Sequence, residues 1–292
     1  MKPPPFEYFA PSDLAEALEL LNEHGYDAKV LAGGQSLIPM MNFRLTQPSV
    51  LIDINNISDL FYINPDNQGG LLIGAMARHN QVERSDLIAE RSPLIHETMP
   101  KIATVQIRSR GTFGGSIAHA DPAAELAAVS IALDSRFKLK NTKGERWVAA
   151  NEFFVGMFTT SLEPDELLVE IAVPQMAART GWALEEVARR PHDFSLVGVV
   201  ALLTLNGGNL CQAARLVFLS VGEYPMEAHK AQAGLVGQQL NPDVIQAAAN
   251  TAASEDIDPS SDIHATADFR RHLAEVLTRR ALQKAFERAS NA

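Results

Sequence analysis

Two short diglycine segments carry the clearest chemical signal in the chain: Ala32-Gly33-Gly34-Gln35-Ser36-Leu37 and, further on, Thr112-Phe113-Gly114-Gly115-Ser116. Glycine lets backbone N–H groups converge on an anion with no Cβ in the way, and a neighbouring serine or threonine hydroxyl adds a donor. Taken singly, each segment reads equally as an ordinary turn. Taken as a pair, both beside predicted strands in an acidic chain, they read as cradles for the two phosphates of a dinucleotide. Neither is followed by the Gly-Lys-Ser/Thr of a P-loop, and neither is the G-x-G-x-x-G of a Rossmann unit.

The other reactive residue types are sparse. His79 and His119 stand outside any ligand-spaced cluster and read as structural or polar loop residues. Cys211 is the single cysteine, so this chain alone builds no disulfide, no Cys₄ zinc site and no iron–sulfur cluster. Redox chemistry here needs a bound organic cofactor, and Cys211 itself reads as a small buried hydrophobe in a strand. Arg108 and Arg110 precede the second diglycine segment and suit a pyrophosphate, a partner subunit or plain surface charge equally well. No Ser-His-Asp order or paired-carboxylate motif points to hydrolysis. The net charge of −10 disfavours nucleic acid and anionic membranes as partners. The N-terminus Met1-Lys2-Pro3-Pro4-Pro5 has no apolar signal region. The longest apolar stretch, Leu196 to Leu205, falls far short of the roughly 20 residues of a membrane helix. A cytoplasmic protein without membrane insertion is expected.

Elements must hold these residues in place, and a chain of 292 residues suggests two domains or three small ones. Ser12 is placed to cap a helix with Leu14, Leu18 and Leu21 on one face, ended by Gly25. Ala28 to Ala32 and Val50 to Ile54 read as strands on either side of the first diglycine segment. Leu71 to Gly74 restarts the strand pattern, His79 to Ala89 reads as helical, and Asp121-Pro122 reads as the start of a buried alanine-rich helix reaching Leu133. Phe137 to Lys140 and Leu167 to Val173 alternate as strands, the second stopped by Pro174. Beyond it come three strands, Trp182 to Arg189, Leu196 to Leu205 and Leu210 to Val221, with a hairpin signal at Asn206-Gly207-Gly208. Helices then open at Asn241-Pro242 and Thr266, the last with Phe269, Leu273, Val276, Leu277 and Phe286 as its apolar side. The boundaries divide the chain into 1–56, 57–176 and 177–292, the last part an α+β domain.

Ala32 to Leu37 with the following Ile38-Pro39-Met40-Met41-Asn42-Phe43-Arg44, then Thr112 to Leu126, resemble the medium, FAD-binding subunit of molybdenum hydroxylases, the group of carbon monoxide and xanthine dehydrogenases. The likeness continues in Leu162 to Leu168, in Arg189-Arg190-Pro191-His192-Asp193-Phe194 and in Phe269-Arg270-Arg271-His272-Leu273, and so spans nearly the whole chain. The resemblance implies an α+β chain with a vanillyl-alcohol-oxidase (PCMH)-type fold: two α/β subdomains clasping FAD, then the C-terminal α+β domain. It places FAD contacts on Val30, Leu31, Ala32, Gly33, Gly34, Gln35, Ser36 and Leu37, and on Thr112, Gly114, Gly115 and Ser116. Further contacts fall on Ile102, Asp121, Glu125, Leu168 near the flavin ring, and Phe194 where an aromatic group belongs. Asp121 reads equally as a helix cap, Glu125 as a solvated helix face and Phe194 as a core residue. Two positions depart from the family pattern. Glu185 replaces a frequent lysine, and Glu125 stands where aspartate is common.

The activity so implied is that of an electron-transfer flavoprotein subunit with noncovalent FAD. A large molybdenum-cofactor subunit and a small iron–sulfur subunit would be its partners, in a dimer of heterotrimers. A free-standing flavin oxidase, turning over substrate alone, and a colourless binding module are the alternatives.

Overall fold

The computed structural model describes residues 2–292. Its first unit contains β1 (Glu7–Phe9), α1 (Leu14–His24), β2 (Ala28–Leu31), α2 (Leu37–Asn42) and β3 (Val50–Asp53). The strands run parallel in the order β1-β3-β2, with Val30 opposite Ile52 and Leu31 opposite Asp53. Leu18 and Leu21 are buried on α1, as their spacing requires. The cap of α1 is Asp13 and not Ser12. Asp13 has the extended backbone of an N-cap and its carboxylate accepts from the N–H of Glu16, while the N–H of Ser12 donates to the Glu16 side chain at 2.9 Å. The sequence reading passed over α2. Pro39 in its first turn forfeits no helical hydrogen bond, so the short helix tolerates it.

The second unit begins with β4 (Ile63–Pro65) and β5 (Leu71–Gly74). Short helices follow: α3 (His79–Glu83), α4 (Asp86–Arg91), α5 (Pro93–Thr98), α6 (Val105–Arg108), α7 (Phe113–His119) and α8 (Glu125–Ala132). Next come β6 (Arg136–Asn141), β7 (Gly144–Ala149), α9 (Ala150–Phe153), a small hairpin of β8 (Phe154–Gly156) and β9 (Thr159–Thr160), and β10 (Leu167–Val173). The five-stranded sheet β4-β5-β10-β6-β7 is antiparallel throughout. The stretch from His79 is broken into separate helices, because Ser85 and Pro93 each start a new one. Asp121-Pro122 does not open α8 as expected. The Asp121 carboxylate accepts from the N–H of Ala123 at 2.9 Å, a local turn that competes with helix, and α8 starts at Glu125.

The third unit holds β11 (Thr180–Ala188), β12 (Ser195–Leu205), β13 (Cys211–Leu219) and β14 (Met226–Glu227) as an antiparallel sheet in that order. Helices α10 (His229–Leu235), α11 (Pro242–Thr251) and α12 (Ala267–Asn291) follow, with a π-turn over Ala252–Asp256. One sheet face, with Leu184, Val200, Leu202 and Val217, joins the core around α8, and the other packs α12. Covered on both faces, β12 is apolar along its length. The buried side of α12 is Ala274, Leu277, Ala281, Leu282 and Ala285, whereas Phe269 is exposed. Alanines let the helix lie close on the sheet, and of the expected apolar side Leu277 is buried while Leu273 and Phe286 pack partly buried against the same core. Among the described residues, no helix is long and apolar enough to cross a membrane.

Candidate cofactor site

β2 ends at Leu31, and the chain turns through Ala32 to Ser36 before entering α2. Gly34 takes φ +71°, a backbone that suits glycine. Among the described residues, the N–H groups of Gly33, Gly34, Gln35 and Ser36 have no protein acceptor. Such polar groups need a partner from solvent or ligand. Those of Gly33, Gly34 and Gln35 belong to residues that line an open cleft of about 350 Å³, together with Ala32, Asp53, Asn55 and Arg110. The cleft lies at the C-terminal ends of parallel β2 and β3, where ligands of such units bind. Ser36 and Leu37 do not line it: Ser36 is exposed and Leu37 begins α2. Val30 is a half-buried member of the first core.

The second diglycine segment lies against the first, but it is built differently. Thr112 is the N-cap of α7, its hydroxyl accepting from the N–H of Gly115 at 3.1 Å. The N–H of Phe113 donates to Ala77 O, that of Gly114 to Ala75 O, and that of Ser116 to Thr112 O. All four amides are therefore spent inside the protein, and the expectation of a second cradle of free amides is corrected. Gly114 is needed for packing, since a Cβ there would come within 2.5 Å of the Ala75 Cβ. The two segments touch at Gly33, where a Cβ would stand 2.5 Å from Arg110 O and 2.8 Å from Gly111 Cα. Half-buried Gly115 faces Ala32, and Ser116 is half-buried one residue on.

The arginines before this segment part company. Arg108 is buried, paired to Glu83 at 2.9 Å and donating to the carbonyls of Ile102 and Ala103, so it shapes the loop. Arg110 is exposed, lines the cleft and has no ion pair among the described residues. The sequence reading missed Asp53, Asn55, Arg78 and Tyr8. The Tyr8 hydroxyl donates to Asp53 at 2.7 Å, and the Asn55 amide donates to Ala32 O at 2.9 Å. The signal available was Asp53-Ile54-Asn55 directly after a strand parallel to the one before the glycines.

A second group of candidates lies away from the cleft. Ile102 is buried, and Leu168 is a buried core residue of β10 at a register shift. Glu125 opens α8 half-buried, and desolvation pushes its carboxyl up to about 7, with Glu186 and Asp121 adding to the rise and Lys101 opposing it. Glu186 pairs with Lys101 at 3.7 Å and accepts from the Ser195 hydroxyl at 2.7 Å. Phe194, next to Ser195, is 67% exposed, which overturns its reading as a core residue. Glu185 pairs with Lys284 on the face of β11 that meets α12, opposite to the face of Glu186. His79 is buried, among the described residues neither of its ring nitrogens has a hydrogen-bond partner, and burial pushes it down to about 4 against the weaker pull of the nearby Thr112 backbone. The His119 ring lies tilted against the Phe158 ring, with centroids 5.1 Å apart. Among the described residues no group of histidine, cysteine or carboxylates is placed to hold a metal.

Comparison with known proteins agrees along the whole length. The family described as the FAD binding domain in molybdopterin dehydrogenase matches residues 4–176, and the CO dehydrogenase flavoprotein C-terminal domain matches residues 182–285. The chain is 39% identical over 289 residues to the 6-hydroxypseudooxynicotine dehydrogenase complex subunit alpha of Paenarthrobacter nicotinovorans, covering 99% of this chain and 97% of the relative. It is 39% identical over 290 residues to the carbon monoxide dehydrogenase medium chain of Hydrogenophaga pseudoflava, covering 99% and 100%. A solved carbon monoxide dehydrogenase from that organism superposes with a TM-score of 0.95 at 40% identity, covering 99% of each chain.

Proposed function

Because this chain belongs to the FAD-binding family of molybdopterin dehydrogenases, we propose that it is the flavin subunit of a molybdenum hydroxylase complex, passing electrons from partner iron–sulfur clusters to an external acceptor. The observation that carries the reading is the cleft beside β2: three unspent backbone N–H groups, those of Gly33, Gly34 and Gln35, and an arginine with no ion pair among the described residues fit the anionic centre of a dinucleotide. Bound FAD supplies a carrier that takes up and releases electrons singly or in pairs. The chain's own residues bind and orient it. Gly33 to Ser36 offer donors to phosphate oxygens, Asp121 and Glu125 offer acceptors to hydroxyls, and exposed Phe194 offers an aromatic face for a ring. Val30, Ile102 and Leu168 support the site from the packed interior, and Thr112, Gly114 and Gly115 seat the second segment against the first.

The single cysteine is buried at Cys211, so iron–sulfur clusters belong on a small partner subunit and the molybdenum cofactor on a large one. Relatives named as a complex subunit and a medium chain support that division, and a dimer of heterotrimers in the cytoplasm is the assembly we infer. Within the chain we assign 1–56 and 57–176 to the two FAD-binding subdomains and 177–292 to the C-terminal domain. Purified protein should absorb between roughly 300 and 600 nm, and acid precipitation should release all of its colour as FAD. A colourless protein that takes up no added FAD would overturn the reading, and colour left on the pellet would overturn noncovalent binding.

A further inference from the structure

We propose that Arg78 and Asn55 form a latch that fixes the two diglycine segments at one spacing, and that the latch presents Arg110 to the phosphates of the bound nucleotide. The inference rests on the FAD reading above and assigns it residues that neither motif contains.

The latch is a continuous hydrogen-bonded chain between the segments. Asn55 Nδ2 donates to Ala32 O at 2.9 Å and its Oδ1 accepts from Arg78 Nη2 at 2.5 Å. The other arm of the same guanidinium donates to Arg110 O. One planar fork thus joins the carbonyl before Gly33 to the residue that Gly33 touches. Its base is held as well. Asp53 accepts from Asn55 and from the Tyr8 hydroxyl, the Arg78 guanidinium lies over the Phe61 ring at 5.4 Å, and the His79 N–H donates to Gly111 O at 3.0 Å. The Arg110 main chain is therefore fixed while its side chain stays unpaired at the cleft. Arg78 and Arg110 also lie in each other's field, an unfavourable placement that a bound dianion relieves.

The test is FAD titration into the flavin-stripped full chain at low and high salt, with the melting temperature of each stripped variant. A charge-assisted contact of this kind is worth about tenfold in affinity. Arg110→Gln should bind FAD about tenfold more weakly at low salt, with a flatter salt dependence. Arg78→Lys should behave likewise, because one ammonium cannot span Asn55 Oδ1 and Arg110 O together. Asn55→Ala cuts the same chain at its other end and carries the test should Arg78→Lys fail to fold. Wild-type affinity and salt slope in Arg110→Gln, or in both latch variants, would overturn the proposal. So would a fall in melting temperature with binding untouched, since that marks a scaffold role only. A wild-type chain that takes up no FAD fails the underlying reading instead, a separate and earlier result.

Discussion

Backbone amides decide what each glycine is for. Gly33 sits where four N–H groups remain unspent and where a side chain would press on Arg110 O and Gly111. Gly33→Val should therefore separate the two segments and lose FAD, read as the ratio of flavin absorbance to protein in the purified variant; full occupancy would show that the loops tolerate a wider spacing. Two other residues set a pH response. Glu125, raised from 4.5 to about 7 in the folded chain, favours folding in its protonated form. Its contribution is fully present below the unfolded value of 4.5 and is lost as pH rises through about 7. His79, lowered from 6.5 to about 4, works in the opposite direction: its neutral form suits the folded chain, so stability falls as pH drops from 6.5 towards 4. Glu125→Gln removes only the first slope. Denaturant unfolding of the flavin-stripped variant should show it more stable than wild type by up to ~3 kcal/mol near pH 8, with the gap closing below pH ~5. Parallel pH profiles would show that the Glu125 carboxyl titrates normally.

Among the elements, α7 shows how a ligand-like motif becomes a structural one. Thr112 caps it, Gly114 lets it lie against Ala75, and its first amides bond to Ala75, Ala77 and Thr112. Thr112→Ala should cost about 1 kcal/mol of stability, as the loss of an N-cap does, while FAD stays bound at slightly lower affinity. Denaturation of the stripped chain and FAD titration together check this, and an unchanged stability would mean that solvent replaces the cap. Much of this architecture was legible beforehand. Leu14, Leu18 and Leu21 marked α1, the apolar run at Leu196 marked β12, and Asn241 and Thr266 marked the starts of α11 and α12, because periodicity and caps are local signals. The diglycine segments were visible too, and the structure does bring them together. What escaped depended on tertiary context. Whether an amide is free is decided by residues far away in sequence, such as Ala75 and Ala77, and the Arg78 to Asn55 link spans three elements with no spacing rule to betray it. The start of α8 escaped for a local reason, the turn held by Asp121.

For the molecule as a whole, one buried cysteine leaves this chain unable to ligate an iron–sulfur cluster with cysteines of its own. The C-terminal sheet and the second unit share one core through α8. Among the exposed apolar side chains are two short runs, Ile38, Phe43 and Leu45 in and after α2 and Val155, Met157 and Phe158 at the β8–β9 hairpin. On a chain of net charge −10 both runs are apolar surface of the kind that interfaces bury. Arg108, attractive for docking in the sequence, is instead enclosed with Glu83. The isolated chain should thus hold FAD yet oxidise no substrate until molybdenum and iron–sulfur subunits are supplied, and Phe43→Glu or Met157→Glu should weaken their association while leaving FAD binding intact. Co-expression followed by size-exclusion chromatography checks the assembly, and anaerobic bleaching of the flavin absorbance on adding substrate checks the electron path. Should the chain elute alone while the other subunits still form a complex, or should its flavin bleach with substrate in their absence, it is a free-standing flavoprotein and not a subunit.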